Sequence, residues 1–440
     1  MGMLVSKRKR YLSGSDWVLN TLDYMMKAVT SSGNVCQIVL TLKSPLSEQQ
    51  LRTALNRFVR QFPVLQGKVA RDFKLTPYWK IPATMERDVR LDVSNIRENS
   101  PPEFLFSELV RHANSPFPDG DEYIDFHLFT SGGRCVLAMR FDHRLFDARG
   151  AESFLNLFQS SLDDSSLSGD MAFTSSAELT EWKSKFLAGK NVNRAIIALS
   201  KSIPRTLPIQ PAPDKGYRYR LLTFSRQETA AIYEKAYRDA GYLMESSFFL
   251  AVITQAMHEL CASRPGTGSC YLIPVTMDLR PGKEPLQEVF FNHVSYLFYQ
   301  IPVELAADLK GLAALFKQQM YDQVKSGFPR DLAAASLLTR IVPRGLFGKL
   351  MSFPMNGKIA TFAYSHLGKS SYQSQEFMDS PIENIFHMPR VPVPPGLGFF
   401  SSQYDGRLNL VISYLDGIMT DEELEGLDVG IRRKFGGGPK

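Results

Sequence analysis

Long apolar runs are missing from this 440-residue chain: nowhere do 18 such residues stand together, which leaves no candidate for a membrane-spanning helix. The opening residues, MGMLVSKRKRYL, lack the extended apolar core of a secretory signal, so a cytoplasmic location is expected. Cysteine is scarce, and Cys36, Cys135, Cys261 and Cys270 form neither a CxxC pair nor a small disulfide framework. No metal site is expected from them, and the four read as reduced core thiols. The excess of one sign of charge is small as well. Against 45 Asp and Glu stand 51 Lys and Arg, scattered along the chain for a net charge of +6, so no nucleic-acid partner is implied. No short internal repeat suggests a solenoid or propeller.

What is present suits an ordinary globular protein, with 44% hydrophobic and 22% charged residues. The length exceeds what one core usually serves, so two domains are expected. Apolar patterning predicts strands at 34–43, 123–130 and 134–142, the last two a hairpin turned at Ser131-Gly132-Gly133. Helices are predicted after Ser47, which forms a capping box with Gln50, then from Pro102, and over 149–162. The later half predicts helices at 226–239, 244–262, 305–326 and 331–352, and strands at 270–279 and 293–303. A hairpin turned at YDGR (404–407) and a helix capped by Thr420 and Glu423 follow. Ser, Pro and Gly crowd the stretch between these halves. The expected organisation is an N-terminal subdomain over 1–170, a crossing segment over 171–216 and a C-terminal subdomain over 217–440, each an α/β (α+β layered) unit.

The chemistry concentrates in AMRFDHRLFDARGAESFL (138–155), where an apolar strand gives way to a helical pattern with His143 and Asp147 at the join. Such a loop can aim a side chain into a cleft while its scaffold stays rigid. An imidazole, with an ordinary pKa of about 6.5, can take a proton from a hydroxyl or amine and pass it to a leaving group. By itself HxxxD is also a common accident of composition.

FDHRLFDARGAESFL resembles the HxxxD motif of the acyltransferase superfamily that includes chloramphenicol acetyltransferase, nonribosomal-peptide condensation domains, plant BAHD acyltransferases and wax-ester synthases. YLIPVTMDLRPG (271–282) is similar to the superfamily's strand ending in Arg, and VFFNHVSYLF (289–298) to its Asn-bearing strand. FAYSHLGKS (362–370) resembles its SNLG segment, and the last forty residues its closing hairpin and helix. The resemblance covers nearly the whole chain and is strongest to stand-alone condensation-like proteins.

It implies two chloramphenicol-acetyltransferase-like subdomains arranged as a pseudo-dimer, with a tunnel between them that reaches the motif. On that template His143 is the general base for direct attack on a thioester, and Asp147 is structural, paired with Arg280. Backbone N–H groups at Ala148 and Gly150 are candidates for the oxyanion site, where a donor is worth about 3 kcal/mol; Asn292 and Ser365 are candidates for lining the chamber. The sequence does not decide among these four. The donor is expected to be acyl-CoA or a phosphopantetheine thioester on an acyl-carrier protein, used as co-substrate with no permanently bound cofactor. The acceptor is a small alcohol or amine, and a monomer is expected. A non-catalytic, ligand-binding member of the fold is the alternative from another class.

Two positions depart from the common HHxxxDG pattern: Asp142 replaces the first His, and Ala148 follows the motif Asp, with Gly150 two residues on. Arg205, Lys215, Arg218 and Arg220 are candidates for the donor's phosphates, or else form a solvated basic face. The basic, amphipathic stretch 337–353 is a candidate for peripheral membrane contact or for simple packing. The start matches a myristoylation pattern at Gly2 and Ser6 followed by KRKR; a Met-Gly left by cloning is the plainer explanation.

Overall fold

In the computed structural model, which describes residues 8–118, 122–163, 182–212, 216–264, 266–280, 289–352 and 357–436, the first part of the chain runs through β1 (Arg8–Tyr11), α1 (Gly14–Lys27), β2 (Val35–Leu42), α2 (Glu48–Val59), β3 (Lys68–Arg71), β4 (Pro77–Ile81), β5 (Arg90–Asn95), α3 (Pro102–Asn114), β6 (Ile124–Ser131), β7 (Arg134–Asp142), α4 (Ala148–Asp163) and α5 (Trp182–Leu199). It continues through β8 (Tyr217–Thr223), α6 (Arg226–Ala240), α7 (Glu245–Ala262), β9 (Cys270–Asp278), β10 (Val294–Pro302), α8 (Leu309–Lys325), α9 (Phe328–Ser336), α10 (Arg344–Ser352), β11 (Ala363–Lys369), β12 (Glu376–Phe377), β13 (Ser380–Met388), β14 (Leu397–Tyr404), β15 (Arg407–Leu415) and α11 (Asp421–Phe435).

Two six-stranded sheets dominate, ordered β12-β13-β2-β7-β6-β5 and β10-β9-β11-β14-β15-β8. The first is antiparallel except for β5 against β6; in the second, β11 runs parallel to both β9 and β14. A small antiparallel sheet, β1-β4-β3, stands beside them.

Alternation along β2 and β7 explains the layering. Cys36, Ile38, Leu40 and Leu42, with Cys135, Leu137, Met139 and Phe141, point into a core shared with α2 and α4. Val39, Val136 and Ala138 point the other way, into a second core shared with the C-terminal sheet and helices α6 to α8. Successive side chains of a strand face opposite sides, so one sheet feeds two cores and its strands read as almost continuously apolar.

The Thr420–Glu423 capping box forms with both halves present, and Ser47 caps α2 by accepting from the Gln50 N–H. At the β14–β15 turn Asp405 and Gly406 both take positive φ, +47° and +75°, as a tight hairpin requires. The four cysteines are buried free thiols.

One expectation gains detail and two change. The crossing segment contains α5, an 18-residue helix. The stretch 331–352 is broken into α9, a 3-10 turn at Leu337–Thr339 and α10, with Pro343 unable to donate an N–H between the pieces. Most importantly, β12 and β13 leave the C-terminal half and complete the N-terminal sheet, β13 pairing antiparallel with β2 from Met388↔Gln37 to Ile382↔Leu42. The division at 217 therefore does not hold for residues 376–388.

Candidate active site

β7 delivers the motif loop, and its backbone is fixed at once: the His143 N–H donates to the Asn34 carbonyl at 2.9 Å and the Leu145 N–H to that of Asp142 at 2.9 Å. His143 Nδ1 lies 2.9 Å from the Phe146 carbonyl oxygen. A carbonyl can only accept, so Nδ1 carries the hydrogen and Nε2 keeps its lone pair. The half-buried ring is thereby held in the tautomer that a proton acceptor needs.

Asp147 is buried and gathers three donors. Its Oδ1 accepts from Arg280 Nη2 at 2.6 Å and from the Gly150 N–H at 2.8 Å, and its Oδ2 accepts from the His293 N–H at 3.0 Å. It is thus both the N-cap of α4 and the seat of the ion pair with Arg280. Burial works against the Arg280 charge, but Asp147 and then Asp278 hold it firmly protonated.

The segment 289–293 braces this loop from the C-terminal half. Phe290 inserts its ring among Phe62 (5.5 Å), Phe146 (5.2 Å) and Phe154 (6.1 Å) of the N-terminal core. Phe291 bridges to Phe146 and sits at φ +71°, a conformation costly for a bulky residue. It is held there by its N–H bond to the Leu145 carbonyl (2.5 Å), by Trp79 at 5.8 Å and by the Arg10 guanidinium at 3.5 Å from its ring. With those two anchored, Asn292 Nδ2 reaches the His143 carbonyl at 2.7 Å. Asn292 therefore clamps the His143 backbone.

The departures from the common motif have local partners. Asp142 is buried against Arg144, with contacts of 2.9 Å to Nε and 2.6 Å to Nη2; burial would raise its pKa, but Arg144 brings it below the usual carboxylate range. At Gly150 a Cβ would come within 2.2 Å of the Val289 carbonyl oxygen, so glycine there permits close approach of α4 to the bracing segment. The Gly150 N–H is already committed to Asp147, which removes it from the candidates for an oxyanion donor. Ala148 opens the first turn of α4, where a helix leaves N–H groups without internal partners.

Sequence reasoning missed what holds α4 to the other half. Arg149 donates to the Lys369 carbonyl (2.7 Å) and to that of Leu367. Glu152, fully buried, accepts from the Ser371 N–H (2.8 Å), Ser371 Oγ (2.7 Å), Ser370 Oγ (3.0 Å) and His387 Nε2 (3.1 Å). Burial would raise this carboxyl, yet His387 first and Arg149 next bring it down to about 2. A charged residue at an apolar helix position was the available signal.

Ser365 receives a 2.7 Å bond from Thr276 Oγ1, and by strand alternation Thr276 shares its sheet face with Asp278, the second partner of Arg280. His366 faces the opposite way, with Nδ1 2.8 Å from Ser401 Oγ, and burial and then Arg149 push its pKa down to about 4.

The basic candidates are spent elsewhere. Arg205 donates to the Cys261 and Arg264 carbonyls, Arg218 pairs with Asp416 and Asp421, and Arg220 pairs with Glu425 and Asp428. A guanidinium shared between two carboxylates offers little field to a phosphate. Lys215 lies outside the described residues, as do Gly2 and Ser6. In KRKR, Arg10 is buried against Asp16 (2.8 Å) rather than free to meet lipid. In 337–353, Arg340 is also buried, donating to the Leu12 carbonyl at 2.6 Å. No helix of the described residues is long and apolar enough to cross a membrane.

The sequence matches no protein-family model and no curated protein. Its structure is similar to that of the TRI3 trichothecene 15-O-acetyltransferase from Fusarium sporotrichioides, at TM-score 0.71 and 14% identity over 97% of this chain and 95% of that one. The first condensation domain of the calcium-dependent antibiotic synthetase, in complex with a substrate analogue, gives the same four values. The condensation domain of the Monacolin K polyketide synthase MokA follows at TM-score 0.63 and 12% identity, over 97% and 96%. The chain therefore has the two-subdomain, chloramphenicol-acetyltransferase-like fold of these acyltransferase and condensation domains.

Proposed function

We propose that the protein is an acyltransferase, with His143 as general base moving an acyl group from a thioester to a hydroxyl or amine. The observation that carries this reading is the tautomer: Nδ1 is tied to the Phe146 carbonyl, so Nε2 is the atom that takes the proton. As the acceptor's oxygen or nitrogen attacks the thioester carbonyl, its proton passes to Nε2. The tetrahedral oxyanion meets the Ala148 N–H and the positive end of α4. Collapse breaks the carbon–sulfur bond, and the imidazolium returns its proton to the departing thiolate. An ester or amide and a free thiol result, with no covalent enzyme intermediate.

The donor is an acyl thioester of pantetheine. Acyl-CoA is the simpler form. Delivery on an acyl-carrier protein is the second reading, favoured by the internal pairing of Arg205, Arg218 and Arg220, which leaves those three little to offer the phosphates of coenzyme A. Free thiol release should be followed with acyl-CoA and with acyl-carrier donors across a panel of alcohols and amines. His143→Ala is expected to reduce the rate by at least about a hundredfold with an unchanged melting temperature. Absence of His143-dependent release from both donors would leave a non-catalytic member of the fold.

A further inference from the structure

Helix α5 carries no Asp or Glu, and its side chains are sorted in an unusual direction. Ala188 is its buried residue. Trp182, Phe186, Leu187 and Ile197 are 55%, 69%, 51% and 52% exposed. At 100° per residue, all four stand roughly 100° or more around the helix from Ala188. Exposed Lys183, Lys190 and Arg194 are interleaved with them on that outer side. The helix is held to the molecule by its other side, through Asn191 Nδ2 on Asp331 at 3.0 Å and Gly189 against Leu338. Large apolar residues scattered singly over a surface need no explanation, but four on the outer face of one helix do.

We propose that the outer face of α5 docks on an anionic lipid bilayer, with the helix axis in the membrane plane. Three cations that pair with no carboxylate among the described residues complement anionic headgroups, and the Trp, Phe, Leu and Ile side chains suit the boundary between headgroups and acyl chains. The apolar groups spread along a helix about 27 Å long, and a fluid surface receives each without a matching cavity. Helix α10 has the same chemistry, with Arg344 and Lys349, no acidic residue, and Leu346 and Leu350 both 53% exposed. Within the stretch 337–353, a candidate for membrane contact or for simple packing, α10 is the part that shares this chemistry.

The chain has three tryptophans, and Trp17 and Trp79 are buried, so Trp182 alone is exposed. Its emission should shift to the blue, and the full chain should cosediment, with vesicles of one part phosphatidylglycerol to three of phosphatidylcholine. Binding should weaken in 1 M salt and be far poorer to pure phosphatidylcholine. Lys183→Glu with Arg194→Glu should lower vesicle affinity about tenfold or more. Phe186→Ser with Leu187→Ser should do so while leaving circular dichroism and thiol release unchanged. His143→Ala should bind vesicles normally, which separates this surface from the catalytic reading. A folded wild-type chain that ignores anionic vesicles, capture of an acidic protein in their place, or binding indifferent to both double variants would overturn the proposal.

Discussion

Asp147 accepts from Arg280, Gly150 and His293 at once, so this residue, four positions after His143, ties α4 to the segments that follow β9 and precede β10. Removing Arg280 leaves the buried Asp147 carboxylate without its counter-charge, and removing Asp147 leaves Arg280 with the more exposed Asp278 at 3.2 Å. Asp147→Ala and Arg280→Ala are each expected to lose about 3–5 kcal/mol of stability, and the double variant less than the sum. Denaturant melts of the three variants measure this; a loss of activity at unchanged stability would sink it. The pair was legible in the sequence because the motif Asp and the strand-ending Arg each stand in a recognisable context. Asn292 was legible as a candidate, but its bond to the His143 carbonyl was not, because that bond depends on Phe291 adopting a positive φ that no composition announces. Asp142 departs from the common motif, and Arg144, two residues on, supplies its counter-charge.

Helix α4 begins at the motif and is pinned through Glu152 to β13 and to the strand-crossing connection after β11. The sign of its pH dependence follows from its depressed pKa. Held near 2 against an ordinary 4.5, the Glu152 carboxylate stabilises the fold fully above about pH 4.5, and this contribution drains away as pH falls toward 2. It is on the order of 3 kcal/mol at pH 7 and roughly half that at pH 3. The stability gap between wild type and Glu152→Gln, from urea melts, should narrow accordingly between pH 7 and pH 3; a constant gap would refute it. Elements with unbroken apolar runs or caps, such as β2, β7 and α11, were readable from sequence. Strand β13 was not, because Glu383 and Asn384 break its apolar run after Ile382. Helix α5 hid for the opposite reason: it buries so little that no apolar stripe marks an inner face.

At the scale of the molecule, two cores share one sheet, and the two halves are joined by more than an interface. Composition marks a Ser-, Pro- and Gly-rich stretch between the halves, but the sheet partners of its flanks are long-range pairings that no local signal encodes. Strand β13 makes the first sheet a product of both ends of the chain. Residues 1–216 made alone would leave the nearly fully buried strand Val35–Leu42 as a bare, apolar edge, a template for aggregation. Separately produced 1–216 and 217–440 should each be poorly soluble and should recover as a soluble 1:1 complex when refolded together, as size-exclusion chromatography would show. A stable, soluble 1–216 would contradict this. Cut between its halves, the molecule is expected to act as a fragment-complementation pair that reports the meeting of any two proteins fused to them, because β13 from one half must seat on β2 of the other.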